Sequence, residues 1–117
     1  NDKAWLSAMI NKLKKNDNIG WSAGWSNNNS IATQFLVHKT HYEIFGFIYP
    51  PEIWNWMCDD WLFHIYPDKY SLWLKQYHLL NVGGEPRYEV KYNPNFLQAI
   101  IKRYKSKLYR FLNQINE

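Results

Sequence analysis

From Asn93 onward the chain is built for one long helix, and that stretch constrains everything before it. Asn93 can cap a helix, Pro94 suits the first helical position because no N–H is needed there, and Leu97, Ile101, Tyr104, Leu108, Phe111, Leu112 and Ile115 recur as one apolar stripe. Such a stripe must lie against other apolar surface, so the preceding residues have to supply a packed partner. The opposite face is basic: Lys102, Arg103, Lys105, Lys107 and Arg110 fall here with Lys91 just ahead, while the first ninety residues are nearly neutral. The net charge of +4 therefore belongs to one helix. A basic outer face on a packed helix is ordinary, so nucleic acid is not an expected partner.

The rest of the chain alternates short helical and extended patterns. A helix is predicted over residues 2–15, where Asp2 caps and Trp5, Leu6, Met9, Ile10 and Leu13 recur at helical spacing. Asn16-Asp17-Asn18 forms a turn, and Ile19 to Trp25 reads as a strand leading into the polar loop Ser26 to Ser30. Thr33 to Val37 has strand character, followed from Lys39 by a short helix that Gly46 stops. After Pro50-Pro51, residues Trp61, Leu62, Ile65 and Tyr66 share one helical face up to Pro67, which places Asp59 or Asp60 at a helix start. Leu72 to Val82 and Arg87 to Tyr92 read as strands around a Gly83-Gly84 turn. The expected fold class is α/β in a single domain over residues 1–117: short mixed strands flanked by helices, with a long C-terminal helix.

At 117 residues the chain can bury one core. No apolar run approaches the ~20 residues needed to cross a bilayer, and no charged-then-apolar leader follows Asn1, so neither a transmembrane segment nor a signal peptide is expected. The lone Cys58 permits neither an internal disulfide nor a thiolate metal cluster. Seven Trp and nine Tyr offer core volume first and flat faces for sugars or bases second.

The chemistry-bearing segment is the acidic pair Asp59-Asp60 after a Trp-rich turn. A helix start favours ionised acids, so by itself the pair is equally well a simple cap. The order of the surrounding features is more specific. Phe35-Leu36-Val37-His38-Lys39, then Phe45-Gly46-Phe47, Pro50-Pro51 and Cys58-Asp59-Asp60-Trp61 resemble the acceptor-side half of GT-A nucleotide-sugar glycosyltransferases, a Rossmann-like fold in which a strand, a short helix ending at glycine and a Phe/Pro turn precede an acidic pair.

The resemblance implies that Asp60, supported by Asp59, takes the proton of an acceptor hydroxyl as it attacks the anomeric carbon, help worth ~10²–10⁴-fold. It implies a divalent cofactor, Mn2+ or Mg2+, held mostly by residues outside this chain and completed by His78 in Gln76-Tyr77-His78-Leu79-Leu80. A lone histidine is more usually structural. Gly24 and Trp25, in a glycine-containing segment from Gly20 to Gly24, together with Trp56, Trp61 and Arg87, are the expected donor or acceptor contacts; Arg87 equally suits a surface turn. His38 and His41 could face together on a helix start, but without a third ligand a zinc site is not expected. The implied partners are a nucleotide-sugar donor, a carbohydrate or glycoprotein acceptor, and the donor-side half or another subunit. The competing reading is a non-catalytic carbohydrate-binding module derived from the same fold, in which the Trp and Tyr surfaces grip sugar without chemistry.

Overall fold

In the computed structural model of the chain, the described residues are 4–25, 31–32, 34–53, 57–78 and 93–115. They form a mixed α/β unit with helices α1 (Ala4–Lys15), α2 (Lys39–Phe45), α3 (Cys58–Ile65) and α4 (Pro94–Ile115). The strands are β1 (Trp21–Trp25), β2 (Phe35–Leu36) and β3 (Ser71–His78), and a single 3-10 turn covers Asp68–Tyr70. The expected strand over Arg87 to Tyr92, the outer part of the one over Leu72 to Val82, and Asp2 as a cap lie outside the described residues.

The strands form one sheet in the order β2-β1-β3. β1 pairs antiparallel with β2, Ser22 opposite Leu36 and Ala23 opposite Phe35. It pairs parallel with β3 from Trp21 opposite Ser71 to Gly24 opposite Leu74. The register then slips, so that Trp25 faces His78. A parallel pair needs a long crossover, which here contains α2 and α3.

Alternation along β1 divides the interior in two. Trp21 and Ala23 join the main core with Ile44, Phe45, Trp61, Leu62 and Ile65, against which α4 lays Leu97, Ile100, Ile101, Leu108 and Leu112. Ser22 points the other way and donates to the carbonyl of Met9 at 3.1 Å, tying α1 to the opposite face of the sheet through its buried Met9 and Leu13. The α4 stripe follows the predicted period, with two corrections: Ile100 belongs to the buried side, and Ile115 is 45% exposed because the helix runs past the core.

Local chemistry explains the helix ends. Asn93 Oδ1 accepts from the Phe96 N–H at 3.1 Å, capping α4 as expected. His38 Nδ1 accepts from the Thr40 N–H at 3.2 Å and so caps α2. Gly46 ends α2 in the left-handed region at φ 83°, where its N–H donates to Tyr42.

His38 and His41 do not face together. His41 turns inward: its Nε2 lies 2.9 Å from the Ile48 carbonyl and its Nδ1 2.7 Å from the Tyr66 hydroxyl. A carbonyl only accepts, so Nε2 carries a proton; in the neutral imidazole that burial favours, Nδ1 accepts from the Tyr66 hydroxyl. Burial holds His41 below its ordinary 6.5, against the opposing pull of the Ile48 carbonyl. The unfolded chain therefore binds this proton at higher pH than the folded one. The stability linked to His41 is complete above 6.5 and is lost as pH falls below it. The unfolding midpoint of an Asp59→Asn variant, which lacks the opposing trend of that acid, is expected to decline from pH 7 to pH 5; a flat profile would contradict a neutral buried His41.

The Pro50-Pro51 turn is tied to α4 by Glu52. The Tyr104 hydroxyl sits 2.8 and 2.7 Å from the two Glu52 carboxylate oxygens, and Arg103 Nη1 donates at 2.7 Å. Burial pushes this carboxyl up, but the hydrogen bonds from Tyr104 and Arg103 outweigh it and hold Glu52 below the usual carboxylate value.

Candidate functional site

α3 opens on Met57 in the left-handed conformation, φ 76°, with no side-chain cap, and places Asp59 and Asp60 in its first turn. Both acids are half-buried. The helix gains from carboxylates at this pole through its dipole. Asp59 nevertheless sits in a costly place: burial, then the neighbouring charge of Asp60, pushes its carboxyl up to about 6 from the ordinary 3.8. Tyr49, from the turn that follows α2, is pushed up to about 12 by its own burial, then by Asp59 and Cys58. The result is a compact acidic site with a phenol beside it.

The shift of Asp59 has a measurable consequence. Between 3.8 and about 6 the folded chain binds more protons than the unfolded one, so stability falls as pH rises through that window and stays lower above it. Asp59→Asn is expected to raise stability at pH 7 by about 1–2 kcal/mol, after discounting for the solvent that still reaches the group. It should leave stability unchanged below 3.8, where Asp59 is protonated in both states. Thermal unfolding across pH checks this, and equal midpoints at pH 7 would refute a costly carboxylate.

Five residues separate the end of α3 from the start of β3, and Ser71 Oγ donates back to the Tyr66 and Pro67 carbonyls. The end of α3 is thus held close to the start of β3. At the other end of the parallel pair, the Trp25 and His78 rings meet in a tilted contact, centroids 4.9 Å apart and planes at 47°. The carboxyl end of parallel strands is where open α/β sheets bind ligands.

The remaining expected contacts divide. Trp25 is half-buried at the end of β1 and His78 is exposed at the end of β3. Trp56 and Arg87 lie outside the described residues. Trp61 is corrected: it is fully buried between Phe45, Phe47 and Tyr104, with His41 near its edge, and cannot touch a ligand. Helical period turns residues 61, 62 and 65 inward together, which accounts for it. In the Gly20 to Gly24 segment, Trp21–Trp25 forms the strand that the sequence predicts. Gly24 is buried in it, and its carbonyl accepts from Trp73 Nε1 at 3.2 Å. Gly20, at φ 100°, is required by the close approach of the Tyr70 backbone.

His78, the expected ligand of a divalent ion, is a single imidazole. Among the described residues no group of three His, Cys, Asp or Glu side chains gathers, so these residues alone do not fit one. Sequence reasoning missed Tyr49, whose phenol is pushed up in part by Asp59, and the tie from Glu52 to α4. The Tyr-Pro-Pro turn was the available signal for Tyr49; nothing in the local pattern marks Glu52, whose partners lie about fifty residues away.

A cleft of about 390 Å³ is lined by Trp21, Phe63, Tyr66 and Trp73 with His64, Asp68 and Ser71. Compared with known proteins, the chain matches no family model, no curated protein and no solved structure.

Proposed function

We propose that this chain carries the acceptor side of a GT-A-type glycosyltransferase, with Asp60 as general base and Asp59 orienting it. The observation that carries the reading is the acid pair itself: two adjacent half-buried carboxylates in an uncapped first helical turn, one of them held near 6 at a cost to the fold. Perturbed acids of this kind concentrate where proton transfer is done. In the reaction, the acceptor hydroxyl gives its proton to the carboxylate as its oxygen bonds to the anomeric carbon. The bond from that carbon to the donor phosphate breaks, and the nucleoside diphosphate leaves with the electron pair. This inverts the anomeric centre. The divalent ion implied for the donor diphosphate needs ligands beyond His78, and the adjoining Trp25 and His78 rings are the expected wall against the sugar.

The second reading, sugar binding without transfer, is favoured by the cleft in which the partly exposed rings of Phe63 and Trp73 lie over the buried Trp21. One experiment separates the two. The protein carrying this sequence is incubated with Mn2+, a panel of nucleotide sugars and acceptor glycosides, while tryptophan fluorescence follows binding and released nucleoside diphosphate follows transfer. Acceptor-dependent release supports the enzyme; saturable binding with no release supports the binding module.

A further inference from the structure

We propose that the outward face of α4 docks the protein on an anionic phospholipid surface. Across Pro94–Ile115 the helix holds no acidic residue while it carries Lys102, Arg103, Lys105, Lys107 and Arg110. Its apolar side is committed to the core, so Lys102, Arg103, Lys107 and Arg110 are turned to solvent and Lys105 lies at the margin. Among the described residues the one ion pair is Arg103 with Glu52. The face is thus a dense block of positive charge with little internal compensation.

Two exposed aromatic side chains share that outer side of the helix. Phe96 is 38% and Tyr109 46% exposed. At about 100° and 1.5 Å per residue, Phe96 lies on the side of Arg103 and Lys107 but roughly two to three turns ahead of them, and Tyr109 stands among the cations next to Arg110 on the side of Lys102. Rings flanked by cations are what the headgroup region of a bilayer takes up, the rings entering the interface while the cations meet lipid phosphates. A single nucleic-acid strand would need a positive groove that tracks its backbone. The cleft adjoining this face, about 220 Å³ beside Lys107 and Arg110, instead contributes the carboxylate of Glu43. A convex cationic helix meets a plane of anionic headgroups along its length, so the lipid surface is the occupant that charge and shape favour. No described helix is long and apolar enough to cross a membrane, so the association is peripheral.

Each cation close to an anionic surface contributes roughly fivefold in partitioning. The test is sedimentation of the full chain with phosphatidylcholine vesicles and with vesicles that also contain phosphatidylserine. Binding is expected only to the second kind, weakening steeply as salt rises. A Lys102→Gln, Lys105→Gln, Arg110→Gln triple variant should partition about 100-fold less while its circular dichroism and unfolding midpoint stay unchanged, because all three side chains lie off the buried stripe. A Phe96→Ser, Tyr109→Ser variant should lose the part of the binding that survives high salt. Equal binding to neutral vesicles, an unaffected triple variant, or tighter binding of a single-stranded RNA than of the anionic vesicles in the same buffer would overturn the proposal.

Discussion

Asp60→Asn is expected to lower acceptor-dependent sugar transfer by about 10²–10⁴-fold, the range over which a positioned general base contributes. Asparagine keeps the shape of the side chain and its place in the first turn of α3, so the fold should persist and the loss should fall on turnover rather than on acceptor binding. The paired variant Asp59→Asn makes the comparison informative. If Asp59 only orients its neighbour, its replacement costs less activity than that of Asp60 and stabilises the protein at pH 7. If the larger loss follows Asp59, the acid held near 6 is itself the base and the two roles exchange. Unchanged turnover in both variants, measured as nucleoside diphosphate released per acceptor glycosylated, would end the assignment of a base to this pair.

Gly20→Ala is expected to be the most damaging small substitution in the chain. At φ 100° an L side chain is strained, and a Cβ there would overlap the carbonyl oxygen of Tyr70. That obstacle is backbone, placed directly ahead of Ser71, which pairs with Trp21, so relief would mean parting β1 from β3. A loss of about 3 kcal/mol or more follows, roughly 10–20 °C in unfolding midpoint for a domain of this size. Gly46→Ala is the control: Gly46 also has positive φ, 83°, but nothing lies within 4 Å of an added Cβ. It should cost only about 1–2 kcal/mol, the backbone term alone. Equal losses for the two would mean that the approach of Tyr70 does not constrain Gly20.

The contrast between these glycines marks how far local pattern reaches. Gly46 was legible because a helical run stopped at it. Gly20 was not, because the atom that requires it belongs to a residue fifty positions later. Trp61 shows the same limit in the opposite direction. Its place beside two carboxylates suggested a ligand contact, yet the period it shares with Leu62 and Ile65 already pointed inward, and packing against Phe45 and Tyr104 buried it completely. His41 likewise needed Tyr66 and the Ile48 carbonyl in place before its neutral state was defined.

By itself the sequence determined the α/β class, the short helix closed by Gly46, the capped and amphipathic C-terminal helix with its one-sided charge, and the placement of Asp59-Asp60 at a helix start. All of these depend on spacing and on chemistry within a few residues. The tertiary structure alone decided that β1 and β3 run parallel and bring Trp25 to His78, that Glu52 ties the proline turn to Tyr104 and Arg103, and that the carboxyl of Asp59 is raised to about 6. Burial and long-range contact set these properties, and neither exists until the chain has packed.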